Sequence, residues 1–383
     1  MSSRLTVLLP LKGRALFTLR FLWHANACRL PYRFLIADGQ VRPAVQQLFS
    51  RSGEAFPDLD IEYIAYPDDT DFSRYYAKMH DALTRVQTPY VMLADNDDFL
   101  VASGIERSLD FLDQNADYVS CGGGIAGFSV YGEQGDHADV TGPLNRLAFR
   151  YEAEDRSQDL GFASVTERLL AGSQYSWGYY AVYRATVLTD IWREVVDINF
   201  SDLMLLEWFC GLRTLTFGKA RSDGSSIAYM RQYWTSLRSS FSKDWVHHLL
   251  RSRFSSDFEA MMKRLSELAA HADGADVAEV DGLLRETFDA WYRKFLRHNY
   301  GPSGMLRGFM RERVPALLLW LKQRRRYSVG FERRILFQRL ASHGASRECL
   351  DLFQRELFGI EAALTGNEFR RFLQSHIDCR EAI

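Results

Sequence analysis

The chain has 383 residues, of which 47% are hydrophobic and 25% are charged, and its formal net charge at pH 7 is -2. This composition is typical of a globular protein and excludes a disordered chain. A nearly neutral net charge gives no general attraction to nucleic acid, so no nucleic-acid partner is expected. The length is sufficient for two or more domains with a sizeable core.

The cysteines and the apolar runs bear on cellular location. Five cysteines, an odd number without a Cys-x-x-Cys pair, are typical of reduced thiols and not of a disulfide scaffold or a zinc site. The apolar run near the start is too short for a signal peptide or a membrane anchor, and residues 314–321 are too few to span a bilayer. A cytoplasmic protein, or one bound peripherally at the inner face of a membrane, is therefore expected.

The first hundred residues alternate between two hydrophobic patterns. Aliphatic and β-branched runs predict buried strands at 5–9, 32–37, 61–66 and 90–93. Amphipathic stretches between them predict helices at 16–25, 41–51 and 73–85. This alternation predicts an α/β fold with a mostly parallel, doubly wound sheet and helices on both faces.

A cluster of acidic residues follows the fourth predicted strand. Residues 90–100 read YVMLADNDDFL, so Asp95, Asp97 and Asp98 lie at the carboxyl end of that strand, where open α/β sheets bind their ligands. Three carboxylates in four residues repel one another, and a divalent cation such as Mg²⁺ or Mn²⁺ that also binds phosphate oxygens would compensate them. The alternative is a solvated acidic turn.

Three motifs in this order resemble the family-2 glycosyltransferases of the GT-A fold. They are VLLPLKGR, LIADGQ and MLADNDDF, and the resemblance covers about residues 4–235. Ala37 departs from the pattern, because many members of the family carry a first aspartate there, which leaves Asp38 alone for that role.

The resemblance implies roles for particular residues. It implies that Asp97 coordinates Mn²⁺ or Mg²⁺ directly and that Asp95 faces the ribose or a metal-bound water. It assigns contacts with a nucleotide-sugar donor to Pro10, Lys12, Arg14, Asp38, Lys78, Asp95, Asn96 and Arg231. Arg14 or Lys78 could pair with the phosphates. For Lys78 the alternative is a solvated lysine on a helix.

The catalytic base is expected on a helix predicted at 201–215. Family-2 enzymes carry an acidic pair at the start of such a helix, and that literal pair is absent here. Counting back from Gly218 and Lys219 puts Glu207 at the base position, whereas Asp202 lies where a helix N-cap is expected. Glu207 is the first candidate for the base and Asp202 the second.

Three further segments have two interpretations each. The glycines between 122 and 127 allow a ligand to approach the backbone closely or allow unusual dihedral angles. Residues 131–158 are polar and predict a mobile loop over the site. The aromatic residues between 175 and 180 either stack on a sugar or belong to the core.

The composition changes after about residue 240, where long amphipathic stretches begin. We therefore predict a GT-A domain over 1–240 and an all-α domain over 241–383. Lys322, Arg324, Arg325 and Arg326 follow an apolar stripe, which is typical of peripheral contact with an anionic membrane. A core helix with a charged end is the alternative.

These observations lead to an expected function. The resemblance implies an inverting, metal-dependent glycosyltransferase that moves a sugar from a nucleotide-sugar donor to a glycan or lipid-linked acceptor, as in bacterial cell-surface polysaccharide biosynthesis. One alternative is a sugar nucleotidyltransferase, which would carry a Gly-rich loop with Arg or Lys after the first strand, where only LKGR stands. Another is a catalytically dead glycan-binding module. The sequence does not specify the sugar, the acceptor or the oligomeric state.

Overall fold

The computed structural model describes residues 3–41, 43–130, 140–141, 147–151, 158–172, 178–232, 253–300 and 329–376. Within these ranges the strands form one sheet. They are β1 (Leu5–Leu11), β2 (Arg33–Asp38), β3 (Asp60–Ala65), β4 (Tyr90–Leu93), β5 (Phe99–Leu100), β6 (Tyr118–Val130), β7 (Leu147–Tyr151), β8 (Gln158–Leu160), β9 (Val182–Arg184) and β10 (Lys219–Gln232).

Helices surround the sheet and continue beyond it. Those that precede residue 240 are α1 (Ala15–Ala27), α2 (Pro43–Ser50), α3 (Ser52–Ala55), α4 (Phe72–Thr84), α5 (Ala102–Gln114), α6 (Val165–Gly172), α7 (Ala185–Ile198) and α8 (Leu203–Phe217). The later ones are α9 (Phe254–Asp273), α10 (Val277–Tyr300), α11 (Val329–Ser342), α12 (Arg347–Thr365) and α13 (Asn367–His376).

The strand order across the sheet is β3-β2-β1-β4-β9-β6-β10-β5, with β7 added to β6 and β8 added to β10. Strands β3, β2, β1, β4, β6 and β10 run in one direction, whereas β9 and β5 run in the other. The predicted α/β class with a mostly parallel sheet is confirmed. Because β1 pairs in parallel with both β2 and β4, the carboxyl ends of these three strands meet at one edge.

Alternate residues of the parallel strands face two different cores. In β1, Leu8 belongs to the core that contains α4, α7 and α8, whereas Val7 and Leu9 belong to the core that contains α1 and α5. This alternation is the period-2 pattern of an extended strand. Helices therefore cover both faces of the sheet, as predicted.

The helices after residue 253 confirm the predicted helical C-terminal region. Helices α9 and α10 share a core with α6, α7 and α8. Helices α11 and α12 pack with residues of β5, β6, β7 and β10 in a third core, and Phe369 of α13 lies in the α1 core. The domain boundary at residue 240 stays a prediction.

Strand β6 extends well beyond the strand that the apolar residues at 118–121 predict, because it includes the glycines at 122–124 and 127. A Cβ atom at Gly123 would lie 2.8 Å from the Cβ of Ala228 and 2.9 Å from its backbone nitrogen. Glycine at this position thus lets β10 pass close to β6. Gly122 and Gly123 also line a cavity of about 70 Å³ with Tyr180 and Tyr229.

Candidate functional site

The acidic turn between β4 and β5 brings three carboxylates together. One oxygen each of Asp95, Asp97 and Asp98 lies within 4.8 Å of the others. Burial raises the pKa of Asp98 well above its usual range, and the charges of Asp97 and Asp95 add to that shift. Burial and the charge of Asp97 raise the pKa of Asp95 as well. Three crowded oxygen donors of this kind fit a hard divalent cation.

Asp95 is held at both its backbone and its side chain by two tyrosines. The Tyr180 hydroxyl donates to Asp95 Oδ2 at 2.5 Å, and the Asp95 backbone N–H donates to the Tyr229 hydroxyl at 2.9 Å. The two rings stack with their centroids 4.6 Å apart and an interplanar angle of 13°. The sequence placed Tyr180 in a segment of interest but gave no signal that Tyr180 and Tyr229 meet at Asp95.

Asp97 forms an ion pair with Arg14, in which the guanidinium Nη2 and the carboxylate Oδ2 are 2.7 Å apart. Arg14 is the residue before α1 and has a left-handed backbone conformation, with φ at 59°. Such a conformation is costly for a residue with a side chain and is often found at functional sites. The structure thus brings together a predicted donor residue and the predicted metal ligand.

Asp98 connects the acidic turn to the end of β10. Its Oδ1 accepts the backbone N–H of Gln232 at 2.6 Å. The fully buried guanidinium of Arg20 donates to the Gln232 side chain at 2.7 Å and also to the backbone oxygen of Asp97. Burial lowers the pKa of Arg20 to about 9. Sequence reasoning missed Arg20, for which the available signal was a charge within the apolar pattern of α1.

Asn96 turns away from its acidic neighbours. Its side-chain amide donates to Thr18 Oγ1 at 3.0 Å and to the Arg14 backbone oxygen at 3.3 Å. These contacts attach the acidic turn to α1. A contact between Asn96 and a donor stays a prediction.

The ends of β1 and β2 carry the other predicted donor residues. Pro10 lies in β1 opposite Ala37 of β2. Asp38 accepts the Gln40 backbone N–H at 2.9 Å and the Tyr63 hydroxyl at 2.8 Å. Lys12, which is exposed, follows at the same edge. The structure therefore collects these residues along the edge that also carries the acidic turn.

Lys78 is buried, with only 2% of its side chain exposed, so the alternative of a solvated helix lysine is wrong. Its ammonium donates to Asp69 Oδ2 at 2.5 Å and to the Leu11 backbone oxygen at 3.1 Å. A Cβ atom at Gly39 would lie 2.1 Å from the same Asp69 oxygen, so glycine there makes room for the carboxylate. Sequence reasoning missed the pairing of Lys78 with Asp69.

The two candidate bases on α8 have different surroundings. Asp202 is the N-cap of the helix, as expected, and accepts the Met204 backbone N–H at 2.9 Å. Glu207, by contrast, makes no hydrogen bond to another described residue. Burial raises the pKa of Glu207 to about 7, against the opposing charge of Arg231 and with a contribution from Asp95. Glu207 therefore lies close enough to the acidic turn and to Arg231 to feel their charges.

Arg231 lies on β10 next to the tyrosine pair. Its guanidinium carbon is 5.8 Å from the centre of the Tyr180 ring. Burial opposes its charge, but Tyr180, Asp98, Asp95 and Glu207 outweigh that effect and raise the pKa of Arg231. Within the described ranges it forms no ion pair, and its charge is shared among these four groups.

Three predictions concern residues outside the described ranges. They are the aromatic residues 175–177, most of the loop 131–158, and the basic cluster of Lys322, Arg324, Arg325 and Arg326. For residues 147–151 the loop prediction is wrong, because they form β7 and pair with β6. Among the helices that are described, none has the length and apolar character needed to cross a membrane.

Comparisons with known proteins find similarity in structure alone. No protein-family model matches the sequence, and no curated protein sequence does. Residues 1–349 of S. aureus TarS match with a TM-score of 0.46 at 12% identity, over 96% of this chain and 91% of that one. The same fragment has also been solved with UDP-GlcNAc.

Two further matches are similarly distant. The longer TarS chain matches with a TM-score of 0.44 at 12% identity, over 74% of this chain and 42% of its own length. The mannosyltransferase PcManGT from Pyrobaculum calidifontis, solved with GDP-Man and Mn²⁺, matches with a TM-score of 0.39 at 13% identity, over 90% of this chain and 86% of that one. At these identities and TM-scores the matches are distant, and the chemistry of this chain has to be argued from its own residues.

Proposed function

We propose that this protein is a metal-dependent, inverting glycosyltransferase that moves a sugar from a nucleoside-diphosphate sugar to an acceptor hydroxyl. The observation that carries the proposal is the cluster of three carboxylates at the carboxyl edge of parallel strands, with oxygens within 4.8 Å of one another. Open α/β sheets bind their ligands at this edge. Beside the cluster, Glu207 adds a candidate base and Arg231 adds a positively charged side chain.

The donor pocket in this proposal follows the strand edge. Pro10, Lys12 and Asp38 contact the nucleoside, and Arg14 or Arg231 neutralises the phosphates, whereas Lys78 is already paired with Asp69. Asn96 keeps the acidic turn in place against α1. A divalent cation held by Asp97 and Asp95 would offset the negative charge on the departing diphosphate.

Glu207 is the proposed general base. Inversion by one displacement needs a carboxylate that takes the proton of the acceptor hydroxyl on the side opposite the leaving group. A pKa of about 7 is suited to that task near neutral pH, because the group then accepts a proton without being permanently protonated. Asp202 already accepts the Met204 backbone N–H and is a poorer candidate.

The acceptor in this proposal is a glycan or a lipid-linked glycan. The stacked rings of Tyr180 and Tyr229 beside Asp95 offer aromatic surface for a sugar ring. The proposal includes a role in surface polysaccharide biosynthesis on the cytoplasmic side of the membrane.

Nucleotide binding provides the first test. UDP and GDP are titrated calorimetrically into the wild type and into Asp97→Asn, with and without Mn²⁺, and Asp110→Asn on the exposed side of α5 serves as the control. We expect Mn²⁺-dependent binding in the wild type and in the control, and its loss in Asp97→Asn. Equal binding by Asp97→Asn with the same metal dependence would contradict the proposal.

Turnover separates the remaining possibilities. Donor hydrolysis is measured against a panel of sugar nucleotides with Mn²⁺, and release of the nucleoside diphosphate is the expected result. Formation of a sugar nucleotide from a sugar 1-phosphate and a nucleoside triphosphate would indicate a nucleotidyltransferase. Binding without turnover under all these conditions would indicate a non-catalytic glycan-binding module.

A further inference from the structure

The carboxylate of Asp95 has only one oxygen engaged within the described part of the chain. Oδ2 accepts the Tyr180 hydroxyl at 2.5 Å, and no described residue donates to Oδ1. The Asp95 backbone is fixed separately, through the Tyr229 hydroxyl at 2.9 Å. Among the described residues, the Tyr180 hydroxyl is therefore the hydrogen-bond donor that orients this carboxylate.

We propose that Tyr180 is the positioning residue of the metal centre, because its hydroxyl holds Oδ2 of Asp95 and leaves Oδ1 available to the cation or to a water bound to it. This inference rests on the proposed function and deepens it. It assigns to Tyr180 a role through Asp95 and not a contact with the reacting atoms.

The surroundings of Tyr180 suit a rigid support. Its ring stacks on Tyr229 with centroids 4.6 Å apart, which restricts rotation of the side chain. Tyr229 belongs to β10, Tyr180 precedes β9 and Asp95 follows β4, so the contact joins three strands of the sheet. A neutral hydroxyl fixes the carboxylate without cancelling its charge, which a lysine or an arginine would do.

The Tyr180 ring also contacts Arg231, the positively charged side chain of the site. The Arg231 guanidinium lies 5.8 Å from the Tyr180 ring centre, within the range of a cation–π contact. One side chain thus touches both the proposed metal ligand and the proposed phosphate ligand. The substitution Tyr180→Phe removes the hydroxyl and keeps the ring, so the contribution of the hydroxyl can be measured by itself.

Binding of Mn²⁺ alone tests the hydroxyl. Free Mn²⁺ is followed by electron paramagnetic resonance during titration of the full chain, and Tyr180→Phe is compared with the wild type. Removal of a hydrogen-bond partner behind a metal ligand typically weakens metal binding by roughly 10- to 100-fold, and we expect a loss in this range. The melting temperature should stay near that of the wild type, because phenylalanine keeps the stacked ring.

A matched control removes a tyrosine hydroxyl from a different aspartate. The Tyr118 hydroxyl donates to Asp159 at 2.7 Å in an exposed contact at the start of β6. Tyr118→Phe should bind Mn²⁺ like the wild type. Mn²⁺ affinity lost equally in Tyr118→Phe and Tyr180→Phe would show a general effect of such substitutions and overturn the inference.

A second pair of variants asks whether the hydroxyl acts through Asp95. In an Asp95→Asn background, Tyr180→Phe should change Mn²⁺ affinity by less than about threefold, because interacting residues are not additive. A full effect of Tyr180→Phe in that background overturns the inference. Loss of all Mn²⁺ binding in Asp95→Asn supports it, provided that Tyr180→Phe alone weakens binding.

Failure of this inference is distinguishable from failure of the proposed function. Wild-type affinity of Tyr180→Phe for Mn²⁺, with Mn²⁺-dependent nucleotide binding intact, overturns the role of Tyr180 and leaves the function standing. Mn²⁺ binding that depends on Tyr180, in a protein that binds no nucleotide, supports the inference and overturns the function. A wild-type protein that binds no Mn²⁺ overturns both.

Discussion

Two carboxylates on one helix show how surroundings decide the role of a residue. Asp202 caps α8 and is fully buried, and its Oδ1 already accepts the Met204 backbone N–H. Glu207 lies further along the same helix, where burial raises its pKa to about 7 and where Asp95 and Arg231 act on it. The spacing of the sequence made Glu207 the first candidate for the base, through the gapless distance to Gly218 and Lys219. That assignment stays a prediction.

The first prediction concerns Glu207→Gln. We expect turnover to fall by roughly 10²- to 10⁴-fold with donor affinity nearly unchanged, because glutamine keeps the shape but cannot take a proton. In the wild type, kcat should rise with pH through about 7, since the base works only when it is deprotonated. The variant should lose this rise. Steady-state kinetics between pH 5 and 9, a range chosen at roughly two units on either side of the pKa, measures both effects.

Asp202→Asn provides the competing outcome. Asparagine also caps helices well, so this variant should lose at most about 1 kcal/mol of stability. An inactive Asp202→Asn beside an active Glu207→Gln would reverse the two assignments.

Lys78 shows what sequence reasoning cannot reach at the scale of a residue. Its position on an amphipathic helix allowed either a solvated side chain or a phosphate ligand. The decisive partner, Asp69, lies across a turn and meets Lys78 only because Gly39 leaves space for its carboxylate. Such a pair depends on the packing of three segments. No single stretch of sequence contains it.

The second prediction follows from this buried ion pair. Removal of one partner of a buried pair leaves an uncompensated charge and typically costs about 3–5 kcal/mol, so Lys78→Met should be destabilised by that amount. Lys12→Met is the control, because Lys12 is 55% exposed and lies 3.9 Å from the other Asp69 oxygen, so its change should be below about 1 kcal/mol. Urea denaturation measures both. Equal stability of Lys78→Met and the wild type would contradict the prediction, because it would show that Asp69 can be buried without Lys78 at no cost.

At the scale of the element, the spacing of hydrophobic residues predicted strands and helices well wherever a single period continued along the whole element. Strands β1 to β4 and helices α1, α2 and α4 lie within a few residues of their predicted bounds. Strand β6 was missed in part, because the glycines at 122–124 were interpreted as a possible ligand approach. Strands such as β5 and β9 have two or three residues and are defined by neighbours distant in sequence, so no local period predicts them.

The third prediction uses two helical glycines with opposite surroundings. A Cβ atom at Gly104 of α5 would lie 2.0 Å from the Ile227 backbone oxygen, whereas nothing lies within 4 Å of such an atom at Gly282 of α10. Gly104→Ala should destabilise the protein by about 1–3 kcal/mol, because β10 would have to move. Gly282→Ala should stabilise it by up to about 1 kcal/mol, since alanine favours a helix. Denaturation midpoints that shift in the same direction for both variants would contradict this explanation.

At the scale of the whole molecule, the change in composition near residue 240 marks where the helical region begins. It does not mark a boundary in the packing of the hydrophobic cores. The change correctly predicted a helical region. Periodicity does not say what a helix packs against, and each core combines residues from both sides of that position. Ion pairs also join residues from both sides of that position, since Glu194 of α7 pairs with Arg213 of α8 and with Arg264 of α9. The sheet and the later helices are therefore expected to unfold together.

The last prediction tests that cooperativity with two phenylalanines of the C-terminal helices. Phe369 of α13 is fully buried, and its ring centroid lies 5.8 Å from that of Trp23 in α1, whereas Phe358 of α12 is 48% exposed and contacts Arg333. Phe369→Ala should lower the free energy of unfolding by about 3–5 kcal/mol, as is typical when a buried aromatic side chain is removed from a core. Phe358→Ala should cost about 1 kcal/mol or less.

The experiment compares the thermal stability of Phe369→Ala with the protection of its backbone amides from hydrogen exchange. Thermal unfolding of Phe369→Ala should remain a single transition at a lower temperature, and hydrogen exchange should accelerate in α1 and β2 as well as in α13. This spread is expected because Phe369 belongs to the core that contains Leu22 and Phe34. Faster exchange confined to α13, with the stability of the sheet unchanged, would instead show that this helix is an independent attachment.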